Sequence, residues 1–316
     1  MGFHFSGESV RQNFSISPIF YSPLNQVENP MPLHLNDMPL YGLFVLTGIL
    51  SGFLSGLLSI GGAFVMVPAF LAIFGAFYHF ESHFMLQLTL GTTMACMIVS
   101  SISSTNAQNK RNSVYWEFLS TNWIYISVGT ILGVILTNYF SASLIKMCFA
   151  SFCLYSGYKM ITRKKLSEIV IDKSGAKLPT FLFGTVCGFI GVGGANLFIP
   201  YLMKTEGIEL KKAMGTASAI QIPVSIIGAV SYLTLGLFSS ASSSGATLAN
   251  GVPPPNAGTV GYIYVPALLL VSLAGLYFNK IGVSVAHKLP VPKLKVVFGC
   301  FTFLIGLKMG YSAVLA

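Results

Sequence analysis

Four stretches of this chain run without a formal charge for longer than a bilayer is thick. Phe118–Ile145, Leu178–Met203 and Ala213–Asn279 hold no acidic or basic residue, and between Asp37 and Glu81 only His79 can carry charge. About 20 consecutive apolar residues suffice for a helix to cross the hydrocarbon core. Charged residues make up 9% of the 316 and hydrophobic ones 53%, against about 25% charged in an ordinary soluble domain. The chain therefore reads as an all-α polytopic membrane protein.

Two of these stretches interrupt themselves in the same way. "LSIGGAFVMVP" (Leu58–Pro68) and "IGVGGANLFIP" (Ile190–Pro200) each place a glycine pair and a proline inside an apolar run. Glycine and proline are the poorest residues for a helix interior, so a broken helix is expected at each. The two breaks belong to an internal repeat. At an offset of 132, Gly56, Gly61, Gly62, Ala63 and Pro68 match Gly188, Gly193, Gly194, Ala195 and Pro200. At an offset of 124, "LGTTMA" (Leu90–Ala95) matches "MGTASA" (Met214–Ala219). At an offset of 149, Lys146, Phe149, Gly157, Lys159 and Met160 match Lys295, Phe298, Gly306, Lys308 and Met309. The shifts in offset come from insertions in connections, Phe74–His83 in one half and a stretch including Ser239–Gly251 in the other.

Charge supplies orientation. The net charge of +9 raises nucleic acid as a partner, but the cations sit in short connections, as the positive-inside rule requires. Nucleic acid is therefore excluded. The clusters are Lys110–Arg111; Arg163, Lys164, Lys165, Lys173 and Lys177; Lys204, Lys211 and Lys212; and Lys280, Lys288, Lys293 and Lys295. With all four in the cytoplasm, Leu178–Met203 enters and leaves on one face. Its 26 residues make about 39 Å of helix, two half-depth arms rather than two crossings. Each half then contributes a broken hairpin plus about three transmembrane helices, roughly 8–10 membrane segments in all. Odd tandem repeats are inverted relative to each other, and both termini face outside. The equivalent stretch of the first half, Met38–Phe80, is about 64 Å as helix and long enough for two crossings; either version leaves the inversion intact. The organisation expected is a polar tail (1–38) without a cleavable signal, repeat 1 (39–161), a basic cytoplasmic linker (162–177) and repeat 2 (178–316).

Interrupted backbone at membrane depth is tolerated only where protein buries it or it lines a cavity. Paired breaks in inverted repeats point to a transporter with its site near the midplane. A half-helix starting after Gly61–Gly62 or Gly193–Gly194 presents free N–H groups and a positive dipole end, which suits an anion. Thr92, Thr93, Thr216 and Ser218 in the paired segments, with Asn196 and Gln221, can donate hydrogen bonds without placing a full charge in lipid. Helix packing competes as the explanation for the hydroxyls, and a plain kink for the glycines. "HFESH" (His79–His83) has metal-like spacing but lies in a connection, and the five cysteines form no CxxC and read as packing residues. No metal or cofactor is expected. No nucleophile–base pair, metal cluster or carboxylate dyad is apparent, so an enzyme is the weaker reading. A non-transporting scaffold leaves the repeated breaks unexplained. All nine acidic residues fall in the tail, connections or helix ends, so proton coupling lacks a carrier and potential-driven export is favoured.

The paired "SIGGAFVMVP" and "GVGGANLFIP", each followed by a "GT" segment, resemble the TauE/SafE sulfite exporter (TSUP) family. "RNSVYW" (Arg111–Trp116) and "HKLPVPKLKVVFGCFTFLIGLKM" (His287–Met309) are similar to that family's connection and closing helix. The resemblance covers about Leu40 to Met309. It implies a multi-pass transporter of a bacterial-type inner membrane, exporting sulfite, organosulfonates or related small anions. It also implies that the glycine pairs and GT segments face the substrate. Phe64 stands where the second half has Asn196, which makes the first cradle narrower and less polar. The partners expected are a small anionic substrate and the lipid bilayer, with a homo-oligomer left open. Uptake of another small organic anion is the alternative.

Overall fold

A computed structural model describes residues 38–58, 62–78, 81–162, 177–242, 258–286 and 291–315. The tail before Met38, Gly61, His79, most of the 162–177 linker and most of the Ser/Gly insertion lie outside the described residues. The described chain forms ten helices: α1 (Met38–Leu58), α2 (Ala63–Phe77), α3 (Ser82–Asn109), α4 (Trp116–Leu136), α5 (Ala142–Ile161), α6 (Lys177–Ile190), α7 (Ala195–Thr205), α8 (Leu210–Ser242), α9 (Val265–Ala286) and α10 (Val291–Leu315). Two short antiparallel strands, β1 (Thr259–Val260) and β2 (Ile263–Tyr264), precede α9.

Five of these helices are long and apolar enough to cross a membrane: α1, α3, α4, α8 and α9. The choice left open for the first half resolves unequally. Its first arm, α1, reaches crossing length with 21 residues, while α2 has 15. In the second half both arms are short, with 14 residues in α6 and 11 in α7. Both short second arms carry an internal proline, Pro68 in α2 and Pro200 in α7. Proline lacks the N–H, so the carbonyls four residues earlier, at Phe64 and Asn196, lose their helical donor.

The helices associate through glycines, as expected where apolar burial cannot drive packing between helices in lipid. The most extensive pairs are α1 with α9, α5 with α10, and α4 with α6, followed by α3 with α8. A Cβ at Gly52 would lie 2.5 Å from the Gly275 backbone, and one at Gly133 would lie 2.1 Å from the Thr185 carbonyl. These contacts also fix direction. Gly48, Gly52 and Gly56 meet Val271, Gly275 and Asn279 in turn, so α1 and α9 are parallel. Gly129 and Gly133 meet Phe181 and Thr185, so α4 and α6 are parallel. By contrast Gly91, Met94 and Ser101 on α3 meet Tyr232, Gly228 and Ser225 on α8, an antiparallel crossing. At one end of the bundle, Phe44, Phe74 and Tyr264 pack with ring centroids 5.6–6.1 Å apart and join α1, α2 and β2.

Candidate functional site

The two GT segments make the same contact twice. A Cβ at Gly91 would lie 2.2 Å from the Tyr262 carbonyl, and one at Gly215 would lie 2.1 Å from the Ser113 carbonyl. Beside them, Thr92 Oγ1 accepts the Tyr264 N–H at 3.0 Å, and Thr216 Oγ1 accepts the Tyr115 N–H at 2.9 Å. Tyr264 and Tyr115 immediately precede α9 and α4. Each glycine therefore admits a connection from the other half, and each threonine satisfies an N–H at the helix start that follows. Helix starts leave such donors without helical partners. Thr216 also donates to the Lys212 carbonyl at 2.8 Å, and Ser218 to the Met214 carbonyl at 3.1 Å. Among the four hydroxyls named from sequence, Thr93 Oγ1 stands apart: it is buried and without a hydrogen-bond partner.

The breaks themselves differ. α7 begins at Gly194 with φ +72°, the left-handed region, and Gly191 just upstream has φ +75°. Side chains other than glycine pay a steric penalty there. A Cβ at Gly194 would also come within 2.4 Å of Cys187 Sγ. α2 begins at Gly62 with φ −74° and ψ −4°, an ordinary right-handed conformation. A Cβ there would lie 2.9 Å from Ser51 Cβ and 3.0 Å from Met66 Cε. What the breaks share is the absence of a side-chain cap. The first helical bonds run from Val65 and Met66 to the Gly62 carbonyl, and from Leu197 and Phe198 to the Gly194 carbonyl. The N–H groups before them point out of the helix end, where its dipole is positive.

Polar groups collect around the second break. A Cβ at Gly193 would lie 2.8 Å from the Gln221 side chain on α8 and 2.5 Å from Met97 on α3. Gln221 is buried. Thr93 lies one helical turn before Met97, on the same face of α3. Asn196 Nδ2 donates to Ser156 Oγ on α5. The first-half counterpart of Asn196, Phe64, meets the same helix: its ring stacks on Phe152 with centroids 5.9 Å apart and touches Phe149 at 6.4 Å. Phe149, Phe152 and Ser156 follow the i, i+3, i+7 spacing of one helix face. One side of α5 therefore receives the first turn of both broken helices. The structure thus brings Gly193, Gln221 and Met97 together, with Thr93 one turn along α3 from Met97, and ties Asn196 to α5, while Thr92, Thr216 and Ser218 bond to main chain.

Sequence reasoning missed Ser156 and a buried amide cluster on α9. Asn279 donates to Ser104 Oγ at 2.9 Å and to the Ser100 carbonyl at 3.3 Å, and it accepts from Ser104 Oγ at 3.2 Å. Its only signal was an amide closing the uncharged run; the serines on α3 carried none.

Comparison with known proteins agrees with this architecture. The chain matches the profile of the sulfite exporter TauE/SafE family over residues 44–309. It is 27% identical over 271 residues to a probable membrane transporter protein of Haemophilus influenzae, covering 84% of this chain and 97% of that one. A probable membrane transporter protein of Methanocaldococcus jannaschii is 24% identical over 282 residues, 88% of this chain and 98% of its own. No solved structure matches the chain significantly. With interrupted apolar helices and a match over most of its length, the chain belongs to the TauE/SafE sulfite exporter family of membrane transporters.

Proposed function

We propose that this protein exports small sulfur-containing anions, sulfite or organosulfonates, across a bacterial-type inner membrane. The anion is held near the midplane between the starts of α2 and α7. The observation that carries this reading is the pair of uncapped helix starts, at Gly62 and Gly194, whose first turns both abut α5. Two positive helix ends bind an anion without burying a cation. Thr93, with its unpartnered hydroxyl, and the Gln221 and Asn196 amides supply the remaining donors. Thr92, Thr216 and Ser218 act through the backbone they hold.

In this reading 39–161 and 178–316 are inverted repeats joined by the 162–177 linker. The helix directions support it: α1 with α9 and α4 with α6 are parallel pairs, while α3 and α8 cross antiparallel. Ser101 and Ser225, matched at the offset of 124, meet each other at 3.5 Å. Export follows from energetics, since each negative charge leaving a negative interior gains about 2.3 kcal/mol per 100 mV.

The test is sulfite efflux from preloaded liposomes holding the purified protein under an imposed potential. Efflux that rises with an inside-negative potential supports the reading. Absence of flux for sulfite and a sulfonate panel overturns the substrate class, and flux of a carboxylate alone moves the site to another organic anion.

A further inference from the structure

A cavity of about 730 Å³ opens between the C-terminal half of α3 and α9. Three cations line it, Lys110, Arg111 and Lys280, and among its described lining residues none is acidic. Val99, Ile102, Leu276 and Val283 give it apolar walls as well. The face of α3 that lines it is not the face that serves the breaks. Asn106, a lining residue, is nine positions from Met97, which at 100° per residue turns it about 180° away. Ile102 is 43% exposed in the C-terminal part of an otherwise largely buried helix, so this face looks outward. The level of the cations is marked independently. Trp116, 47% exposed, donates its indole N–H to Asn109 at 3.0 Å, beside Lys110, and tryptophans of membrane proteins settle at the headgroup level.

From this arrangement we infer a binding site for an anionic phospholipid. The phosphate lies among Lys110, Arg111 and Lys280, and an acyl chain runs along Ile102 and Leu276. A free oxyanion shares the headgroup chemistry. It has no use for the apolar walls, however. Basic pockets between transmembrane helices on the cytoplasmic side bind anionic headgroups in this way; Lys110 and Arg111 follow α3 in a connection that the positive-inside rule assigns to the cytoplasm, and Lys280 lies in the last two turns of α9. The site is separate from the substrate site and does not depend on what is transported.

The experiment is native mass spectrometry of the full-length protein drawn from vesicles of phosphatidylglycerol and phosphatidylcholine in equal amounts. Wild type is expected to retain phosphatidylglycerol about a hundredfold over phosphatidylcholine, since each of the three cations near the surface favours the anionic headgroup. The Lys110→Gln/Arg111→Gln/Lys280→Gln variant is expected to lose that preference. Ile102→Trp, which fills the apolar part and leaves every charge, is expected to lower retention too and serves if the triple variant fails to fold. Equal retention of both lipids by wild type, or an undiminished preference in the variants, overturns the proposal. In lipid-free detergent, inorganic phosphate is expected to leave thermal stability unchanged. Stabilisation by phosphate that the triple variant abolishes would assign the site to a free oxyanion instead.

Discussion

The two breaks began as one motif and are built differently. In the first half a full-length arm leads to Gly62 in an ordinary helical conformation, and the next side chain to reach α5 is Phe64, sealed by Phe149 and Phe152. In the second half both arms are short, the turn needs two left-handed glycines, and Asn196 reaches α5 with a hydrogen bond. The same contrast recurs one layer out, where Met97 and Gln221 occupy matched positions and both border Gly193. At matched sequence positions one half places packing side chains and the other places amides.

That contrast breaks most sharply at the glycines. Gly194→Ala puts a Cβ into a left-handed residue against Cys187, so sulfite flux in liposomes is expected to fall more than about tenfold. Gly62→Ala, right-handed but placing a Cβ 2.9 Å from Ser51 Cβ, is expected to cost less, about threefold. Equal losses would mean that the breaks are equivalent after all.

Where the halves are alike, equal effects are expected instead. Gly91→Ala and Gly215→Ala each drive a Cβ onto a carbonyl oxygen, and each should lower stability by about 1–3 kcal/mol in detergent unfolding. A variant pair differing by more than that range would show that only one of the two cross-half contacts is needed.

Exchanging the diverged residues sharpens the polar side of the comparison. Gln221→Met makes the second half match the first, and flux is expected to fall about fivefold, the loss of roughly one hydrogen bond to an anion. Met97→Leu should leave flux within about twofold. If Gln221→Met transports normally, the amide belongs to packing rather than to the substrate.

The smallest effects are expected at the threonines. Thr92→Val and Thr216→Val each remove an acceptor from a helix-start N–H and should cost about 1 kcal/mol apiece. Their effect on flux should be no more than the stability change explains. A large loss of flux with unchanged melting would return those hydroxyls to the substrate site.

How much of this was legible in the sequence depends on the range of the interaction. The uncharged runs, the glycine–proline breaks and the three repeat offsets were readable because each is local, set by hydrocarbon thickness and by backbone chemistry within a few residues. The GT segments were legible as a repeat but not in their use. Thr92 meets Tyr264 and Thr216 meets Tyr115, pairings of 172 and 101 residues that no periodicity encodes. Ser156 and the serines around Asn279 were invisible for the same reason, since a serine in an apolar helix is as readily packing as partner.

By itself, then, the sequence determined that this chain is a polytopic helical membrane protein with two related weak points, because an uncharged chain in lipid must satisfy its backbone internally and glycine pairs with a nearby proline make a continuous helix costly. Only the tertiary structure decided that Gly62 starts α2 in a right-handed conformation and Gly194 starts α7 in a left-handed one, with both first turns against α5. The partners that complete each first turn, Phe149 and Phe152 for Phe64 and Ser156 for Asn196, come from α5, at least 40 residues away in the chain.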